Sequence, residues 1–142
     1  FSQDWVEPVA KVLKSLGSKR AWVVHGSDGL DEITTTGKTK VASLEDGAVT
    51  IFEIHPSEAG IKLAKPEQLV GGEPEENANA LLSIFNGERN AYRDIVVLNS
   101  AACLIIAGKA KNLTEGASIA SNMIDNGKAM EKLEALKEIT NR

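Results

Sequence analysis

One cysteine, Cys103, is present in 142 residues. A single thiol excludes an internal disulfide and leaves no second thiol for a zinc site, which fits a reducing, cytoplasmic setting. No apolar run approaches the roughly 18 residues that a membrane span needs, so no membrane partner is expected. Basic charge is also short. Sixteen Lys and Arg against twenty Asp and Glu leave a net charge of −4, whereas a nucleic-acid reader carries a basic stripe. Nucleic acid is therefore not an expected partner, and any anionic ligand requires something to offset the chain's own charge. Internal repeats and low-complexity tracts are lacking, and no Ser-His or Cys-His constellation points to a covalent nucleophile. The chain begins with Phe1 rather than Met, and Phe1 to Gln3 show neither the basic start nor the apolar stretch of a signal peptide. A fragment of a longer protein is expected.

What is present reads as a soluble α/β domain. Hydrophobic residues make up 42% of the chain and charged residues 25%, and this length suffices for one domain that buries roughly two thirds of its unfolded surface. From Asp4 to Leu16 the apolar residues Val6, Val9, Leu13 and Leu16 keep helical spacing, with Asp4 and Glu7 in capping-box relation and Gly17 placed to end the helix. The run Ala21-Trp22-Val23-Val24-His25 suits a strand buried on both faces, of the kind found in parallel sheets. Thr39 to Leu44 and Ala48 to Ile54 flank Asp46-Gly47, a pair suited to a tight hairpin turn. His55 to Gly72 reads as a loop with local turns. Pro74 opens a helix whose apolar face is Ala78, Leu81, Leu82 and Phe85, and it stops at Asn86-Gly87. The apolar stretch between Ala91 and Ala110 is long enough to favour a buried helix, which places Cys103 in the core. Two amphipathic helices follow, one around Thr114 to Ile124 and one around Ala129 to Leu136, separated by Asn126-Gly127.

Polar functional groups concentrate in His25-Gly26-Ser27-Asp28-Gly29-Leu30-Asp31-Glu32-Ile33-Thr34-Thr35-Thr36-Gly37, directly after the first strand. Open α/β sheets bind ligands outside the carboxyl ends of their strands, so a site is expected here. Asp31 and Glu32 are adjacent hard-oxygen donors of the kind that hold Mg²⁺ through one or two contacts while the ion keeps waters and substrate phosphates. The bland alternative is a solvated turn in which the acids serve only as caps. Gly37-Lys38-Thr39 imitates the end of a phosphate-binding loop, but Glu32 stands where that motif needs glycine and a strand follows where it needs a helix. Asn112-Leu113-Thr114 is a formal glycosylation sequon, yet in a reducing compartment Thr114 reads as a helix cap. His25 and His55 lack partners at metal-ligand spacing, and His25 reads as a packed strand end.

The string VVHGSDGLDEITTTG, with VEPVAKVLKSLGSKRA before it and GGEPEENANALLSIFNGERNAYRDIVVLNSAACLIIAGKA after it, resembles the C-terminal part of the bacterial anthranilate phosphoribosyltransferases. The resemblance runs along essentially all of the chain, and HG-x-x-GLDE is its most specific element. It implies a helical N-terminal domain, absent here, and a nucleoside phosphorylase/phosphoribosyltransferase-type α/β domain, of which residues 1–142 form the C-terminal portion: a buried strand and a β-hairpin covered by helices. It also implies transfer of the phosphoribosyl group of phosphoribosyl pyrophosphate to anthranilate in tryptophan biosynthesis, giving N-(5-phosphoribosyl)anthranilate and pyrophosphate. Asp31 and Glu32 match the family's metal-binding pair, so Mg²⁺ is the implied cofactor. No ligand role passes to Asp28.

The family's GTGGD diphosphate loop, its Lys-His-Gly-Asn segment and the arginine that meets anthranilate all lie upstream of Phe1. No catalytic residue is therefore assigned to this chain, and the fragment is expected to be inactive alone. Its first strand is expected to lack native neighbours, so that the fragment self-associates or folds poorly. The missing N-terminal half is an expected partner, and the full-length enzyme is expected to be a homodimer through its helical domain. Two alternatives remain open: a pyrimidine nucleoside phosphorylase-like enzyme, and a nucleic-acid-binding relative without transferase activity.

Overall fold

The computed structural model describes residues 2–141, so Phe1, on which the expectation of a fragment partly rests, lies outside them. Three strands, β1 (Arg20–Gly26), β2 (Thr39–Glu45) and β3 (Ala48–Ile54), form an antiparallel sheet in the order β1-β2-β3. The hairpin falls where expected. Asp46 and Gly47 both take positive φ, 48° and 75°, which matches the turn to the right-handed twist of the strands it joins.

Helix α1 (Val6–Ser15) covers one face of the sheet, where Val6 and Ala10 meet Ala42, with Val23 and Val49 at the margin. Helices α3 (Ala91–Ile106) and α4 (Leu113–Asp125) cover the other, and their Val97, Leu98, Ala101, Ala117, Ala120 and Ile124 pack with Val41, Ile54, Trp22 and Val24. Alternate residues of β1 thus meet different helical layers, which accounts for its nearly unbroken apolar run. Burial is less complete than expected, because Ala21 to His25 are only half-buried. Among the described residues β1 pairs on one edge alone. That edge also corrects the expectation of a strand without neighbours: Trp22, Val23 and Val24 stand opposite Ser43, Ala42 and Val41.

Helix α2 (Pro74–Phe85) begins at Pro74 as expected, capped reciprocally by Glu73 and Glu76. Helix α5 (Lys128–Thr140) buries no residue. His55 to Gly72 is a connector holding two short 3₁₀ turns, Pro56–Ala59 and Pro66–Gln68.

Several local expectations need correction. Ser2, not Asp4, accepts the capping bond, and a 3₁₀ turn over Gln3–Trp5 precedes α1. The sheet-facing side of α1 carries Val6 and Ala10, while Val9 and Leu16 are exposed, because the sheet covers a narrower stripe than the apolar residues span. Asn112 caps α4, accepting from the Glu115 amide; the Thr114 hydroxyl instead donates to the Glu58 carbonyl at 2.7 Å. Cys103 is exposed rather than buried. Helix α3 is apolar on nearly all sides, and the side bearing Cys103 opens onto a groove of about 590 Å³ that no described element covers.

Candidate functional site

The segment between β1 and β2 is stitched by its own side chains. Gly26 N–H donates to the Leu30 carbonyl at 2.9 Å, and Ser27 N–H to the Lys38 carbonyl at 2.8 Å, closing the loop across its base. Inside it the Asp28 carboxylate accepts from the Thr34 and Thr36 hydroxyls at 2.5 and 2.6 Å and from the Leu30 amide at 3.2 Å. Burial is the largest single influence on this carboxyl and would raise it, but the Thr34 and Thr36 hydroxyls with the Leu30 and Asp28 amides together outweigh burial and hold it below its ordinary value. Asp28 is thereby committed to the loop.

The far side of the loop is held from α3. The Ile33 amide donates to Asn99 Oδ1 at 3.0 Å, and Asn99 Nδ2 donates back to the Ile33 carbonyl at 2.9 Å. Thr34 N–H donates to Thr39 Oγ1 at 3.0 Å, which fixes the next peptide to the start of β2. Between these two anchorages lie Asp31 and Glu32, both exposed. Neither carboxylate enters a hydrogen bond or ion pair with another described residue, so the caps of the bland alternative are not made. Glu32 also lines the apolar groove with Asn99 and Cys103.

Among the described residues no three or more His, Cys, Asp or Glu side chains gather into a group that could hold a metal ion. Two free, adjacent carboxylates are nevertheless a suitable donor set for Mg²⁺, which dehydrates reluctantly and takes most of its ligands from water and substrate phosphate. His25 lies half-buried one residue before the end of β1, and His55 caps the turn at Pro56, with Nδ1 2.8 Å from Ser57 Oγ. Lys38 of the imitation phosphate loop pairs with Glu53 at 2.9 Å at the head of a strand. Sequence reasoning missed the loop's two anchors. The Asp28-x₅-Thr34-x-Thr36 spacing carried a local signal for the first, and the second joins residues 66 positions apart.

Residues 1–130 match the glycosyl transferase family, a/b domain. The chain belongs to that family. Within it, this glycosyl transferase domain is 57% identical over 141 residues to the anthranilate phosphoribosyltransferase of Azospirillum brasilense, covering 99% of this chain and 40% of that protein. The protein of the same name from Parvibaculum lavamentivorans is 52% identical over 141 residues, with 99% and 41% covered. Among solved structures, anthranilate phosphoribosyltransferase from Thermus thermophilus matches with a TM-score of 0.85 at 37% identity, over 95% of this chain and 40% of that one. The Saccharomyces cerevisiae enzyme in complex with PRPP and Mg matches with a TM-score of 0.86 at 26% identity, over 94% and 39%. The glycosyl transferase domain described here therefore spans about two fifths of the length of these relatives.

Proposed function

We propose that the intact protein containing this domain transfers the phosphoribosyl group of phosphoribosyl pyrophosphate to the amine of anthranilate, with release of pyrophosphate, in tryptophan biosynthesis. The observation that carries this reading is the exposed Asp31–Glu32 pair on a doubly anchored loop at the end of β1, in a chain 57% identical to an anthranilate phosphoribosyltransferase. Residues 1–142 would supply the C-terminal portion of the α/β domain. The phosphorolytic and nucleic-acid-binding alternatives gain no support from the relatives described above.

Displacement of pyrophosphate from the ribose builds positive charge on the sugar and negative charge on the leaving group, so positioning and electrostatics supply most of the catalysis. Asp31 and Glu32 would hold Mg²⁺, and the ion supplies the positive charge that a departing pyrophosphate needs. The loop's contribution is rigidity. With Asp28 engaged by two threonines and Ile33 held to α3, the two acids are presented without first having to be ordered. The amine of anthranilate, once desolvated and aligned, needs no activated protein nucleophile.

The remaining functional groups, a diphosphate loop and the residues that meet anthranilate, are assigned to the N-terminal half, as is the contact of a homodimer. The edge of β1 that no described strand pairs and the exposed Trp5, Val12 and Leu16 support a surface that this half covers. The lone cysteine supports a cytoplasmic location, and no described helix is long and apolar enough to cross a membrane.

The test is direct. The purified intact protein, given phosphoribosyl pyrophosphate, anthranilate and Mg²⁺, is expected to form N-(5-phosphoribosyl)anthranilate, and the 142 residues alone are expected to form none. An intact protein that makes no product overturns the reaction, and turnover by the 142 residues alone overturns the assignment of the diphosphate loop to the upstream half.

A further inference from the structure

We infer that Asn99 is a positioning residue for the Asp31–Glu32 pair, an inference that rests on the reading of that pair as the metal site. Its side-chain amide meets the backbone of Ile33 through two bonds, accepting from the N–H and donating to the carbonyl, as one peptide meets another across an antiparallel ladder. The second Nδ2 hydrogen donates to the Ile95 carbonyl at 3.0 Å, one turn back on α3, which fixes the orientation of the amide on its own helix. Three of its four hydrogen-bonding positions are thus used, and α3 itself is clamped in the core by Val97, Leu98, Ala101 and Ala102.

The consequence follows from which peptides are held. Ile33 N–H belongs to the peptide joining Glu32 to Ile33, so Asn99 sets the plane immediately after the acid pair. The Leu30 carbonyl, held by Gly26, belongs to the peptide immediately before it. Asp31 and Glu32 therefore project from a span with a single peptide between two fixed planes. Ile33 is 2% exposed, so its side chain seats the span in the core while the acids stay in solvent. All three bonds of Asn99 run to backbone groups, so it acts on the acids through the backbone. Partners of this kind behind metal ligands typically change metal affinity by about 10–100-fold when removed.

The experiment uses the intact protein and Mn²⁺ as a paramagnetic probe, with affinity read by electron paramagnetic resonance and the Ile33 amide read by hydrogen exchange. Asn99→Leu is expected to weaken Mn²⁺ binding about tenfold and to speed exchange at Ile33. Asn99→Ser, which keeps a small polar group, takes its place if the leucine variant does not fold and is expected to move both readouts the same way. Val97→Ala controls for a merely structural effect: it is expected to lower the unfolding temperature and leave Mn²⁺ affinity unchanged. Wild-type affinity, or unchanged protection of Ile33, in the Asn99 variants overturns the inference. Asp31→Asn and Glu32→Gln separate this outcome from the other: if they bind Mn²⁺ as wild type does, it is the metal-site reading that fails.

Discussion

Arg93, in the first turn of α3, reaches Asp125, the last residue of α4, with its Nη2 2.6 Å from Oδ1. The Arg93 side chain is 4% exposed and that of Asp125 36%. An acid at a helix C-terminus is disfavoured by the helix dipole, so Asp125 is explained by its partner rather than by its helix. Arg89 adds a second contact to the same carboxylate at 3.1 Å but is 75% exposed. Asp125→Ala leaves the buried Arg93 side chain without its ion-pair partner, with only the electrostatic influence of Asp94 beside it, and the expected loss in urea unfolding is about 3 kcal/mol. Arg89→Ala is expected to cost under about 0.5 kcal/mol, as exposed pairs do.

Removal of either acid of the candidate site separates function from stability. In the intact protein Asp31→Asn and Glu32→Gln are each expected to lower turnover about 10²-fold, or about 3 kcal/mol of transition-state stabilisation, and to shift the Mg²⁺ dependence. The unfolding midpoint is expected to stay within about 0.5 kcal/mol of wild type, since both side chains are exposed and bond to no other described residue. Wild-type kinetics across a Mg²⁺ titration count decisively against the metal assignment.

The Asp28 carboxyl lies below its ordinary value in the folded chain. Its contribution to stability is therefore fully present above the unfolded value, about 3.9, and is lost as pH falls through the lower folded value. Urea unfolding of wild type and Asp28→Asn at neutral and acid pH measures this. The variant is expected to be the less stable at pH 7, and the gap is expected to close as pH falls through the lowered folded value of Asp28. A gap that persists in acid shows that the carboxylate form is not what the two threonines hold.

Gly116 lets α4 lie against α3. A Cβ at this position would stand 2.8 Å from Ala101 Cα and 2.9 Å from its carbonyl oxygen, atoms that cannot yield as a flexible side chain would. Gly116→Ala, ordinarily favourable within a helix, is here expected to destabilise by about 1–3 kcal/mol in thermal or urea unfolding.

Chemistry confined to a few neighbouring residues was legible in the sequence. Asp46-Gly47 specifies a turn through its own φ preferences, and Pro74 specifies a helix start, so both elements appear where expected. What depends on distant partners was not legible. An apolar helix cannot show from its own pattern which side lacks a cover, and Cys103 is exposed for that reason. Thr114 reads as the cap of α4, but its hydroxyl is taken by the Glu58 carbonyl 56 residues away and Asn112 caps the helix instead. The acids Asp31 and Glu32 were visible as a pair. Their support was only half visible, because Asp28 sits in the same loop while Asn99 sits on α3.

The separation of 66 residues between Ile33 and Asn99 also orders events in time. The β2–β3 hairpin closes across two residues and β1 joins it across residues 27–38, so the sheet needs closures far more local than this one, and local closures are the fast ones. The anchor after the acids forms only once α3 has been synthesised and docked. On a ribosome, where the chain emerges from its N-terminus, the strands are complete while Ile33, in the loop between the first two, still lacks its partner on α3. The carboxylate pair is thus among the last features to take shape, and a chain stopped short of Asn99 presents a sheet without a finished site.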